Sequence, residues 1–98
     1  MSLNDDVTEA ATIEVLRRAI EPVTDEIPDP EVDFEGCVIA ITKRTMRKVK
    51  PLSLAKRSAY FLDKARKSRD WCRSTNAPTY LTERVEQWLE RLERQWPS

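Results

Sequence analysis

Ninety-eight residues with 17 cationic side chains, 17 anionic ones and no histidine make a neutral chain of one-domain size, able to bury about two-thirds of its unfolded surface. A single glycine argues against phosphate-cradling loops, nucleophile elbows and tight hairpins, all of which lean on positive φ. Without histidine the commonest general base and metal ligand are missing, and two distant cysteines make neither a zinc site nor a disulfide framework.

Read in chain order, the residues predict an all-α fold: a compact bundle of four helices at 6–21, 30–49, 53–73 and 79–96, in one domain over 1–98. Residues 1–4 are expected to be a loose terminus. Asp6 and Glu9 resemble a capping box. Helix 1 then presents Ala10, Ile13, Leu16 and Ile20 on one face, and Pro22 ends it. Residues 22–29 form an acidic, proline-containing linker. Asp29 as cap and Pro30 as first helical residue then open helix 2, with acids early and Lys43, Arg44, Arg47 and Lys48 late, as the helix dipole favours. Its stripe is Phe34, Val38, Ile41, Thr45 and Val49, with Cys37 and Ile39 at the margins. The β-prone run 37–42 offers an alternative, a short strand in an α+β fold.

Pro51 closes helix 2, and Ser53 suits the N-cap of helix 3. One face of helix 3 carries Leu54, Ser58, Phe61, Ala65, Ser68 and Cys72, an apolar stripe with small residues. The opposite face interleaves Arg57, Tyr60, Lys64, Lys67 and Trp71. Helix 4 shows a strong stripe of Leu81, Val85, Trp88, Leu92 and Trp96, with Glu90 and Arg94 spaced for an ion pair.

The neutral total conceals a polarised order of charge. Residues 1–42 hold eleven acids and two cations, a net −9. Residues 43–73 hold twelve cations and two acids, +10, and residues 74–98 come to −1. Either the two poles neutralise each other in the fold or they face separate partners.

These features predict a small non-enzymatic interaction module, an adaptor, inhibitor or regulator, working through its charged surfaces. The acidic contact surface would be Asp25, Glu26, Asp29 and Glu31. The alternative is a nucleic-acid-binding protein whose 43–73 segment contacts phosphates through Lys43, Arg44, Arg47, Arg57, Lys64 and Lys67, with Tyr60 and Trp71 stacking on bases. Trp96 is read as core or as an interface aromatic for a homodimer or another protein. The acid pairs Asp29/Asp33 and Glu31/Glu35 are read as helix-terminus charges rather than metal ligands, and no cofactor or metal is expected. The chain lacks a secretory apolar core, a membrane-length apolar run and a lipidation motif, so it is expected in the cytoplasm, with reduced thiols and no membrane contact.

Overall fold

A computed structural model describes residues 3–21 and 23–95 of the chain. The fold is all-α, with four helices: α1 (Leu3–Ile20), α2 (Phe34–Val49), α3 (Leu54–Thr75) and α4 (Thr79–Gln95). Residues 37–42 lie inside α2, so the strand alternative does not hold. Contacts divide the chain into two compact units, Met1–Pro51 and Leu52–Ser98. Each unit is one helical hairpin, α1 packing on α2 and α3 on α4.

In the first unit Ala11 and Val15 of α1 meet Cys37 and Ile41 of α2 in an apolar cluster, with Ile27 and Val38 packed against it. Several expected positions shift. α1 begins at Leu3, so the terminus expected to be loose is helical at Leu3 and Asn4. Asp6 is therefore an interior, buried residue rather than a cap. Ile20 is exposed, while Val7, Ala11 and Val15, spaced by four, are buried. On α2 the buried stripe is Cys37, Ile41, Thr45 and Val49, and Phe34 is 55% exposed.

The start of α2 also moves. Asp29 does cap a turn: its carboxylate accepts the Glu31 N–H at 2.8 Å, and its carbonyl accepts the N–H groups of Val32 and Asp33. That turn stops at Asp33, whose backbone (φ −145°, ψ 83°) leaves the helical region. Asp33 then caps α2 itself, its Oδ1 accepting the Gly36 N–H at 2.9 Å. A short polar side chain that bonds locally wins over helix continuation here. The cap also accounts for the only glycine: a Cβ on Gly36 would collide with the Asp33 carboxylate.

The second unit buries larger side chains than the first. Phe61, Leu62, Ala65 and Cys72 of α3 and Leu81, Val85, Trp88, Leu89 and Leu92 of α4 are buried. Each large apolar side chain so covered contributes about 1.5–3 kcal/mol of transfer free energy. The Phe61 and Trp88 rings meet edge to face, with centroids 6.4 Å apart. Ser53 caps α3 as expected, accepting the Lys56 N–H at 3.4 Å. Leu54, expected on the core stripe, is 63% exposed, as befits a first-turn residue beyond the reach of α4. α3 runs two residues past the expected end, to Thr75. Asn76 closes it in the left-handed conformation (φ 54°), which asparagine tolerates better than most residues. The Asn76 and Ala77 N–H groups both donate to the Cys72 carbonyl. The α4 stripe holds as expected from Leu81 to Leu92, and Trp96 lies outside the described residues.

Because Gly36 answers to the Asp33 cap, two substitutions at these sites should not add. Gly36→Ala alone should destabilise the protein despite alanine's better helix propensity. In an Asp33→Ala background, itself weaker by about 0.5–2 kcal/mol, the same change should stabilise by about 0.5–1 kcal/mol. Urea unfolding of the four proteins checks the reversal of sign.

Candidate functional site

The acidic linker is bound into the first unit by a guanidinium. Arg18, near the C-terminal end of α1, is 5% exposed. Its Nη1 and Nη2 donate to Asp25 Oδ1 and Oδ2 at 3.0 and 2.8 Å, a two-pronged pair. The Ile27 N–H donates to Asp25 Oδ1 at 3.0 Å, which directs the chain back toward α2. Arg44 joins the group from α2: its Nη2 donates to Glu14 Oε1 at 2.6 Å, and its Nη1 lies 3.7 Å from Asp25 Oδ2. The Arg18 hydrogen bonds outweigh desolvation and, with the Ile27 N–H and the nearby Arg44, hold the Asp25 carboxyl at about 2. Burial pushes the Cys37 thiol up; both cysteines are buried and free.

Between this pinned linker and α2 lies an open groove of about 640 Å³. Asp25, Glu26, Ile27 and Pro28 form one wall, and Ile39, Ala40, Lys43 and Arg47 stand on the other. Ile39 is 53% exposed. Lys43 and Arg47 are exposed and one helical turn apart. Among the described residues neither has a carboxylate within ion-pair distance, unlike Arg44 beside them. The groove therefore combines apolar side chains on both walls, Ile27 and Pro28 facing Ile39 and Ala40, with two uncommitted cations and the exposed Glu26.

The residues predicted from sequence thus fall into distinct sets. Lys43, Arg44 and Arg47 are together on α2, but Arg44 is spent on Glu14 and Asp25. Of the acidic set, Asp25 is paired, Asp29 caps its turn, and Glu26 and Glu31 are exposed. Arg57, Tyr60, Lys64 and Trp71 share a half-buried face of α3. The Lys64 Nζ lies 5.8 Å from the centroid of the Tyr60 ring, which also meets Phe61 edge to face at 5.5 Å. Lys67 is exposed and paired with Asp63 at 3.0 Å. Sequence reasoning placed Ile39 at the margin of a core stripe and overlooked its spacing of four from both Glu35 and Lys43, the signal that puts it in the groove.

Among the described residues no three His, Cys, Asp or Glu side chains gather as a metal site requires, and no helix is long and apolar enough to cross a membrane. Comparison with known protein families, curated proteins and solved structures finds no match.

The ion-pair group has a signature in acid. A carboxyl lowered from 3.8 to about 2 on folding contributes stability that is fully present above pH 3.8. That contribution is lost as pH falls from there through about 2, while Arg18 stays cationic. Asp25→Asn should be less stable than the parent protein near neutrality. The gap in urea midpoint should stay constant down to about pH 5, then narrow toward pH 2. Parallel curves would show that Asp25 does not carry the acid dependence.

Proposed function

We propose that the chain is a small non-enzymatic interaction module of the cytoplasm, an adaptor, inhibitor or regulator that binds protein through the charged groove of its first unit. One observation carries this reading. The fold pairs Arg18 and Arg44 with internal carboxylates yet leaves Lys43 and Arg47 uncommitted beside the exposed Ile39 on the wall of an open groove. Exposed apolar area flanked by free charge is what a protein partner recognises, the apolar part supplying affinity and the charge supplying register and association rate. The folded units also redistribute the charge of the sequence. The first holds eleven acids and seven cations, a net −4, and the second six acids and ten cations, +4. The five cations from Lys43 to Lys50 belong with the acidic unit.

The second reading, nucleic-acid binding through the 43–73 segment, draws on the +4 of the second unit and on the exposed Lys56, Arg66, Lys67 and Arg73 of α3. It ranks lower for two reasons. Tyr60, its proposed stacking ring, is half-buried and lies against Lys64 and Phe61. Asp63 and Asp70 also interrupt the cations of α3, pairing with Lys67 and Arg69.

The two readings separate on two double variants. Proteins captured from cell extract are identified, and each is then titrated as a purified protein. The groove reading expects Lys43→Glu combined with Arg47→Glu to weaken that purified binding by about tenfold or more, and Lys64→Glu with Lys67→Glu to leave it within about twofold. The opposite ranking, or a mobility shift with single-stranded nucleic acid at low salt that Lys64→Glu with Lys67→Glu abolishes, would favour the second reading.

A further inference from the structure

The groove face of α2 carries a symmetric arrangement of charge. Glu35, Ile39, Lys43 and Arg47 follow one another at intervals of four, so they form one ridge along the helix. Its order from the N-terminal end is acid, apolar, cation, cation. Glu35 is exposed, as are the three that follow it. On the opposite wall Glu26 is exposed as well. Among the described residues none of Glu26, Glu35, Lys43 and Arg47 makes an ion pair, so the uncommitted charge of this surface is two acids against two cations. A purely acidic partner drawn to Lys43 and Arg47 would be opposed by Glu26 and Glu35, and a purely basic one by the cations. A surface with both signs in balance suits a partner with the same balance.

From this we infer that the groove face of α2 is a self-association surface, and that a second copy of this chain occupies it about a two-fold axis. The inference rests on the groove being the interaction surface proposed above and names its partner. A two-fold axis crossing α2 at the level of Ile41 sets the two α2 helices antiparallel. Glu35 then faces Arg47 of the second copy, and Arg47 faces the second copy's Glu35. The two positions are twelve residues apart, about 18 Å along the helix, so the pairs lie at opposite ends of the contact and fix its register. Between them, the half-exposed Ile39 lies against the aliphatic stem of Lys43 from the second copy, whose ammonium extends toward water. Ala40 beside Ile39 is small enough for the two helices to approach. A two-fold contact uses each feature twice, so one short ridge supplies two ion pairs and two apolar contacts. One helix face of this length makes a small interface, and the dimer is accordingly a weak, concentration-dependent one.

Sedimentation equilibrium of the full chain over a range of concentrations, at low and moderate salt, tests this with charge-reversal variants. The wild-type protein should dimerise reversibly, less so as salt rises. Glu35→Arg and Arg47→Glu should each weaken the dimer by about tenfold, because each places like charges together at both ends. The double variant, Glu35→Arg with Arg47→Glu, should regain most of the wild-type affinity. Circular dichroism checks that α2 persists; if a reversal costs helix, Glu35→Gln and Arg47→Gln, which remove the charge and keep an unbranched polar side chain with good helix propensity, should each still weaken the dimer. A wild-type monomer at every concentration would overturn the inference, as would a dimer indifferent to either single change or a double variant no better than the singles. A monomer that still binds a captured protein through Lys43 and Arg47 would sink self-association alone and leave the proposed function standing.

Discussion

The first unit is built around a guanidinium that has almost no water. A charge held at 5% exposure is costly unless an opposite charge meets it with matching hydrogen bonds, and Arg18 gets that match from both oxygens of Asp25. The requirement propagates outward. To deliver Asp25, the chain after α1 must double back over the helix end. The Ile27 N–H closes the bend on the same carboxylate, and Ile27 packs on the Ala11–Val15–Cys37–Ile41 cluster. Arg44 extends the group to Glu14, tying α2 to α1 across 30 residues of sequence. Apolar burial holds this hairpin together, but the ion pairs decide where its connecting segment lies, and that segment is one wall of the groove.

The second unit rests on different physics. Its helices meet through large apolar side chains, with a Phe–Trp ring contact at the centre and a left-handed asparagine closing a three-residue connection. Three ion pairs of its helices are local in sequence: Lys67 with Asp63, Arg69 with Asp70, Arg94 with Glu90. Such pairs contribute little to stability. They do matter for recognition, because they occupy cations that would otherwise be available to a phosphate backbone. Charge therefore organises structure in one hairpin and mostly decorates it in the other.

Much of this was legible in the sequence where the signal was local. Pro51 follows the end of α2, Ser53 caps α3, and the α4 stripe from Leu81 to Leu92 reads straight from its spacing, while Pro22, read as the stop of helix 1, lies outside the described residues. The fold class followed from those signals together. Local competition was harder to read. Asp29 and Asp33 are both good caps four residues apart, and only the structure shows that the first closes a single turn and the second starts α2. Legibility ended at contacts between distant residues. Nothing in the order of charges says that Arg18 takes Asp25 or that Glu14 takes Arg44. Three cations on α2 therefore looked equivalent, although one of them is internally neutralised. The half-buried state of Tyr60 and Trp71 was hidden for a similar reason: helical spacing gives the face a residue lies on, but not how far neighbouring structure covers it.

The placement of chromophores and thiols gives each hairpin its own reporter. Every tryptophan and tyrosine of the chain belongs to the second unit, while the first has phenylalanine as its sole aromatic residue. Intrinsic fluorescence, dominated by indole, is therefore blind to the first hairpin. Yet each hairpin encloses one free cysteine, Cys37 in the first and Cys72 in the second, both shielded from solvent. A thiol reagent can reach either sulfur only when its own helix pair opens. Labelling rates at the two sulfurs, separated by peptide mapping, would thus time the breathing of each half independently in a single unaltered molecule.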